Sequence, residues 1–210
     1  MIRIYKPEEI EQESFRIIDE ELRQTGRKLP EMYAPVIRRV IHTTADFSYL
    51  DSLYFSDHIM ETVWEALDQG SSVVTDTNMA RAGIHAGTLG RLGGEVLCYM
   101  GDADVARLAR QRQVTRACIS MEKSAEAAQP YIYVIGNAPT ALLRVVELAE
   151  EGRIRPWFVI GAPVGFVNVT EAKERLIASG IPCIVPRGRK GGSNVAAAIM
   201  NALLYEKAGR

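Results

Sequence analysis

The first third of the chain has the apolar periodicity of amphipathic helices. Isoleucines at helical spacing predict a helix over 8–24, and a second apolar stripe predicts a helix over 31–42. Ser56 is a favourable N-cap for a third helix, in which apolar residues again recur every three or four positions. These segments predict a helical layer at the N-terminus.

The pattern changes after residue 70, where short apolar runs alternate with helical stretches. The predicted strands are 72–76, 95–99, 131–135, 157–160 and 181–185. The predicted helices are 103–111, 115–128, 139–150, 170–179 and 193–206. This alternation indicates an α/β fold with a mostly parallel, Rossmann-like sheet that helices cover on both faces. We expect residues 1–210 to form a single domain.

Glycine-rich turns follow three of the predicted strands. They read Ile-Gly-Asn-Ala-Pro at 135–139, Ile-Gly-Ala-Pro-Val-Gly at 160–165 and Arg-Gly-Arg-Lys-Gly-Gly-Ser at 187–193. Such turns leave backbone N–H groups at the carboxyl edge of a parallel sheet, where open α/β sheets bind ligands.

The third turn combines three cations with small residues just before a predicted helix. Its candidate ligand-binding residues are Arg187, Arg189, Lys190, Gly191, Gly192 and Ser193. The positive end of a helix and its free N–H groups favour a carboxylate or a phosphate, although a flexible basic surface loop is the alternative. Neither GxxxxGK[ST] nor a GxGxxG after a strand occurs, which argues against nucleotide binding.

The composition is that of an ordinary soluble globular protein. Of the 210 residues, 47% are hydrophobic and 24% are charged, and the formal net charge is −1. This balance provides no overall field that attracts nucleic acid or a membrane surface, so any anion site must be local.

Cysteine usage and the absence of targeting signals favour the cytoplasm. Cys98, Cys118 and Cys183 are far apart, and we expect buried thiols in a reducing compartment. The N-terminus lacks the apolar region of a signal peptide, and no apolar stretch approaches the roughly 20 residues that span a membrane.

His42 is the strongest catalytic candidate among the three histidines. It lies at the end of a predicted helix, away from the apolar stripe and on the same side as Arg38. A histidine near cations and hydroxyl groups suits a general acid or base, although a solvent-facing histidine at a helix end is the alternative. We expect His58 and His85 to be non-catalytic. No two histidines have metal-ligand spacing, so we expect no metal site.

Four further polar residues stand out. Ser14 lies on an apolar helix face, where it either bonds back to a carbonyl or reaches a ligand. Thr75 and Asp76 end a predicted strand, and they either contact a ligand or cap the next helix. Arg116 is a cation among mostly apolar neighbours that suits a carboxylate, and a surface ion pair is its alternative.

Several of the residues and turns described above match a known family. The chain resembles the precorrin-8X methylmutase family of corrin biosynthesis, which includes the cobalt-precorrin-8 methylmutases. The resemblance spans nearly the whole chain in order. The matching segments are 13–15, 39–42, 74–79, 115–116, 135–142, 161–167 and 187–193.

The resemblance implies an isomerase without a cofactor that acts as a homodimer. It implies that a methyl group moves from C11 to C12 of precorrin-8X or cobalt-precorrin-8, which gives hydrogenobyrinate or cobyrinate. It also implies that His42 is the active-site histidine and that Ser14 and Arg116 contact the substrate. We expect Arg38 and the cations of the third turn to meet the carboxylates of the macrocycle.

Two other functions remain open from the sequence. A non-catalytic carrier of a tetrapyrrole or corrin needs the same anion site but no titrating histidine. A Rossmann-like nucleotide enzyme is the third reading, and the missing glycine fingerprint argues against it.

Overall fold

The fold is a six-stranded sheet that is parallel except at one edge. The computed structural model describes residues 6–127 and 129–209. The strands are β1 Leu53–Phe55, β2 Val73–Thr75, β3 Val96–Leu97, β4 Ile132–Ile135, β5 Val159–Gly161 and β6 Cys183–Pro186. Their order across the sheet is β1-β6-β5-β4-β2-β3, and only β1 runs antiparallel to its neighbour.

Helices fill most of the chain between the strands. In order they are α1 Pro7–Gln24, α2 Ala34–Thr44, α3 Tyr49–Ser52, α4 Ile59–Asp68, α5 Asn78–Gly83, α6 Ala86–Arg91, α7 Ala103–Arg112, α8 Arg116–Ser124, α9 Pro139–Glu150, α10 Val169–Ala178 and α11 Ser193–Lys207. A 3₁₀ turn, Glu31–Tyr33, precedes α2.

Two apolar cores lie on opposite faces of the sheet. One contains the apolar sides of α1, α2, α4 and α11, and the other contains those of α8, α9 and α10. The strands alternate between these cores, so that Ile132 and Val134 face the first while Tyr133 and Ile135 face the second. The predicted α/β fold with helices on both faces is confirmed.

The predicted N-terminal helical layer packs on α11 rather than directly on the strands. α11 is buried around most of its circumference, because the sheet lies on one side of it and α2 and α5 lie on the other. The helix α1 packs in turn on α2. Among the described residues, no helix is both long enough and apolar enough to cross a membrane.

Several local predictions differ from the structure. The edge strand β1 and the short helices α5 and α6 lie where no strand or helix is predicted. Ser56 does not cap α4: the helix begins three residues later, after His58 in a left-handed conformation (φ 56°). Ser56 instead bonds to Cys183 of β6, since its hydroxyl accepts the Cys183 N–H at 2.9 Å.

The prediction of buried cysteines is correct for one of the three. Cys183 is buried as expected, whereas Cys98 and Cys118 are half-buried.

Asp76 joins the end of β2 to the turn that follows β4. Its fully buried carboxylate accepts the backbone N–H groups of Gly136 at 2.8 Å, Asn137 at 2.8 Å and Ala138 at 2.7 Å. Burial raises the pKa of this carboxyl, and the three N–H groups at the start of α9 act against that shift. Asp76 therefore fixes the geometry of the turn at 135–139.

The glycine turns approach each other at backbone distance. A Cβ on Gly136 would lie 2.6 Å from Ser193 Cα, and a Cβ on Gly191 would lie 2.4 Å from the Ala162 carbonyl oxygen. The Ser193 hydroxyl also lies 2.8 Å from that of Thr77, just beyond β2. All three turns and the end of β2 thus form one compact edge.

Gly136→Ala tests this close approach. We expect a loss of about 1–3 kcal/mol in the free energy of unfolding, because the new methyl group must displace backbone atoms of α11. Gly90→Ala is the matched control: its Cβ meets nothing within 4 Å, and alanine favours the helix by up to about 1 kcal/mol. Urea unfolding measures both, and equal stability of the two variants would contradict the packing.

Asp76→Asn tests the carboxylate that holds the turn. The amide nitrogen cannot accept a hydrogen bond, so at least one buried N–H group loses its partner at a cost of about 2 kcal/mol. Asp57 is exposed, and Asp57→Asn should change stability by less than about 0.5 kcal/mol. Thermal and urea unfolding compare the pair, and a wild-type stability for Asp76→Asn would refute this role.

Candidate active site

His42 lies in the last turn of α2 and is exposed to solvent. The helix ends at Ala45, which is left-handed (φ 52°) and donates its N–H to the Ile41 carbonyl at 2.7 Å. The imidazole packs nearly perpendicular to the ring of Phe15 on α1, with ring centres 5.5 Å apart.

Ser14 on α1 is the hydrogen-bond partner of His42. The distance from Ser14 Oγ to His42 Nδ1 is 2.7 Å. A hydroxyl group both donates and accepts, so this bond persists whether Nδ1 is bare or carries a proton. The pair therefore holds the ring with Nδ1 towards Ser14.

The His42–Ser14 pair lines a groove of about 500 Å³ between α1 and the end of α2. Ile10 and Ile17 on the same wall are unusually exposed for apolar residues, at 54% and 43%. Phe47 closes the groove beyond the end of α2. The groove thus combines an apolar wall with a titratable pair, as a bulky, partly apolar ligand requires.

Two arginines brace this helical layer. Arg38 Nε donates to Asp19 at 3.0 Å, and its guanidinium lies 5.8 Å from the centre of the Phe15 ring. Arg39 pairs with Glu11 and lies over the same ring at 5.4 Å. Arg38 therefore holds α1 against α2, and its contact with a substrate stays a prediction.

The loop 187–193, called here the basic loop, presents its cations outward at the carboxyl edge. Arg187 lies over the ring of Tyr54 at 4.9 Å and 3.6 Å from Glu174, while Arg189 lies over Phe166 at 5.3 Å. These contacts hold the guanidinium stems along apolar surface and leave the groups exposed.

Lys190 connects the basic loop to the segment that follows His42. Its ammonium donates to Asp46 at 2.5 Å and to the Ser48 hydroxyl at 2.8 Å. The hydrogen bond from Lys190, with those from Ser48, lowers the pKa of the Asp46 carboxyl to about 2. Asp46 lies four positions after His42 in the chain, which limits their Cα distance to about 14 Å. The catalytic candidate and the basic loop therefore belong to one region.

Arg116 begins α8 and lies exposed beside the same edge. The Thr115 hydroxyl before it accepts the Cys118 N–H at 3.2 Å, so Thr115 caps this helix. The same hydroxyl lies 2.8 Å from that of Thr140, in the first turn of α9. This contact places Arg116 next to the turn at 135–139 that Asp76 holds.

Thr75 and Asp76 are fully buried. The Thr75 hydroxyl lies 3.1 Å from the carbonyl oxygens of both Thr77 and Leu97. The geometry gives both residues a role in shaping the edge, and their direct contact with a substrate stays a prediction.

The other histidines have local partners. His85 Nδ1 accepts the Thr88 N–H at 3.0 Å, and His58 Nδ1 lies 3.5 Å from Glu61. Within the described ranges, no three His, Cys, Asp or Glu side chains lie close enough together to hold a metal ion.

Sequence reasoning missed Lys173, which the structure places beneath the basic loop. Its ammonium donates to the carbonyl oxygens of Gly188 at 2.9 Å and Lys190 at 2.7 Å. A lysine three residues before Leu176 and four after Val169 lies on the buried face of α10, and that spacing was the available signal.

Comparisons with known proteins identify the family. The profile of the precorrin-8X methylmutase family matches residues 9–206. A cobalt-precorrin-8 methylmutase of Salmonella typhimurium is 44% identical over 206 residues, which cover 96% of each chain. A precorrin-8X methylmutase of Pseudomonas aeruginosa is 36% identical over 202 residues, which cover 94% of this chain and 95% of the relative.

A solved structure agrees with the sequence matches. The precorrin-8x methyl mutase of Thermus thermophilus superposes with a TM-score of 0.85 at 38% identity, and the match covers 96% of this chain and 98% of that one. The chain therefore belongs to the precorrin-8X methylmutase family, whose members are isomerases of cobalamin biosynthesis.

Proposed function

We propose that this chain moves a methyl group from C11 to C12 of precorrin-8X or cobalt-precorrin-8, with His42 as the general acid. The observation that carries the proposal is the 2.7 Å contact between Ser14 and His42 on the wall of an open groove. Relatives named for the cobalt-containing and for the cobalt-free substrate both match this chain, so we propose the shared reaction.

His42 supplies the proton in this proposal. The imidazolium donates from Nε2 to the macrocycle, which makes the conjugated ring electron-poor. The bond from C11 to the methyl carbon then breaks as the bond from C12 forms, on the same face of the ring. Tautomerisation returns the proton to His42, so the product is an isomer of the substrate and no covalent intermediate forms.

The basic loop binds the substrate carboxylates in this proposal. The macrocycle carries acetate and propionate groups, which suit guanidinium forks and backbone N–H groups. Arg187, Arg189 and Arg116 are exposed around one edge of the sheet. The small residues Gly191, Gly192 and Ser193 allow the backbone to approach a carboxylate closely.

Exposed apolar side chains provide a floor for the ring. Phe166 is 82% exposed, Val167 is 76% exposed and Met79 is 71% exposed, all close to the glycine turns. Such exposure indicates a surface that a ligand or another protein covers. The proposal includes a cytoplasmic homodimer, whose second subunit would cover part of this surface and of α1.

His42→Ala and His42→Asn test the general acid. We expect kcat to fall at least about 100-fold in both variants, because proton transfer typically contributes that much or more. Product binding should change little, since the ring contacts remain. The measurement is the visible spectrum after mixing enzyme with methylated precorrin-8, with and without cobalt.

The exposed His58→Ala is the matched control and should convert substrate at the wild-type rate. Near-normal turnover by folded His42→Ala would refute the catalytic role. Binding without spectral conversion by the wild-type protein, in either metal state, would favour the carrier instead.

A double-mutant cycle tests whether Ser14 acts through His42. We expect Ser14→Ala to lower kcat about 10-fold, because the ring loses the bond that orients it. In the His42→Ala background the same change should have almost no further effect, since residues that act together are not additive. If the fold-decreases in kcat of the two single variants multiplied in the double variant, the two residues would act independently, which would contradict the proposed pair.

A further inference from the structure

Lys173 is a fully buried lysine under the proposed substrate edge. It lies on α10 among the buried residues Val169, Ala172 and Leu176. Within the described part of the chain, no carboxylate lies within ion-pair distance of its ammonium, whose partners are the two loop carbonyls. Burying an ammonium group without a carboxylate costs free energy of desolvation. A functional role for Lys173 would explain why the fold carries that cost.

The two hydrogen bonds fix the direction of the loop backbone. A trans peptide is planar, so the N–H of each residue points opposite to the carbonyl of the residue before it. Since the Gly188 and Lys190 carbonyls point at Lys173, the N–H groups of Arg189 and Gly191 point away from it.

The remaining loop contacts agree with this orientation. The Arg189 carbonyl accepts the Gly165 N–H at 3.2 Å, so three consecutive loop carbonyls are bound by protein donors. Among the residues that the structure describes, the N–H groups of 189–191 form no hydrogen bond within the protein. The loop thus binds these three acceptors to protein donors and leaves the N–H groups of 189–191 available to a ligand.

We propose that Lys173 is a positioning residue, which holds the basic loop so that its N–H groups and cations face the substrate carboxylates. This inference rests on the proposed function above. Lys173 acts through the loop and does not touch the substrate.

Lys173 also adds a charge to the site. Burial lowers its pKa to about 8, so the ammonium begins to lose its proton just above neutral pH. An anion on the loop favours the charged form, and conversely the affinity for the anion falls when the proton is lost. The charged groups on the loop and the elements packed against it are Arg187, Arg189, Lys190, Glu174 and Asp46.

Lys173→Met tests the inference, because methionine keeps a similar stem but removes the donor and the charge. The matched control is Lys207→Met at the far end of α11, where Lys207 pairs with Asp68. Trypsin cleaves after arginine and lysine, and three such residues lie in the loop. We expect about 10-fold faster cleavage at 187–190 in Lys173→Met and no change there in the control.

Steady-state kinetics separates positioning from general damage. We expect KM to rise at least 10-fold in Lys173→Met while kcat changes less than about 3-fold, since the His42–Ser14 pair is untouched. In the wild type, KM should rise between pH 7 and 9.5, and this rise should be absent in Lys173→Met. Unchanged loop cleavage overturns the inference, and so does faster cleavage with an unchanged KM.

The role of Lys173 can still be tested if Lys173→Met does not fold or if the wild-type protein shows no activity. Should Lys173→Met not fold, loop cleavage of the wild type is measured between pH 7 and 9.5 and normalised to a peptide substrate. The ratio must rise, because deprotonation replaces two charge-assisted hydrogen bonds with the weaker bonds of a neutral amine. A flat ratio overturns the inference. Because proteolysis needs no turnover, an inactive wild-type protein refutes the proposed function while loop cleavage still decides the role of Lys173.

Discussion

The close approach of three glycine turns at the carboxyl edge of the sheet is the constraint on which the site depends. Gly136 and Gly191 lie where any side chain would collide with the backbone of a neighbouring segment. Asp76 reinforces the arrangement, because its buried carboxylate binds three successive N–H groups of one turn. At the contact between these turns, backbone atoms rather than long side chains therefore form the surface of the carboxyl edge. Backbone N–H donors can then lie close to an anionic ligand that binds there.

The N-terminal helices supply the histidine that we propose as the general acid. α2 packs on α11, and Pro35 and Val36 near its start line a pocket with Leu203 and Glu206 near the end of α11. The C-terminal end of α2 therefore lies towards the basic loop, where α11 starts. His42 is at this end, and the contact of Lys190 with Asp46 and Ser48 ties the following segment to the basic loop. The fold thus brings the proposed proton donor and the proposed anion-binding loop, 145 residues apart in sequence, into one region.

Periodicity predicted the α/β architecture because the buried strands and amphipathic helices each have a clear spacing. The edge strand β1 escaped prediction because three residues carry no readable period, and its pairing with β6 is decided by tertiary contact. The helices α5 and α6 contain glycines that lower the local helical signal, and their caps Thr77 and His85 are recognisable only with the structure.

The candidate site was predictable only in part. The histidine, the serine and the basic loop are visible as residue types in the sequence, but the partnership of Ser14 with His42 links positions 28 residues apart. Asp76 illustrates the limit: its position at a strand end indicated a ligand contact or a helix cap, whereas it caps the turn before α9. Lys173 was not predicted, because the role of a charged residue on an apolar helix face depends on the carbonyl groups that it binds. Those partners are visible only in the structure.

The most direct test of the account is a structure of the protein with the corrin product bound. The account predicts a ring in the groove between α1 and the end of α2, with His42 Nε2 within about 3.2 Å of a ring atom or its substituent. It also predicts at least two substrate carboxylates on the cations or N–H groups of 187–193. A ring bound elsewhere, or bound here with His42 turned away from it, would contradict the central claim.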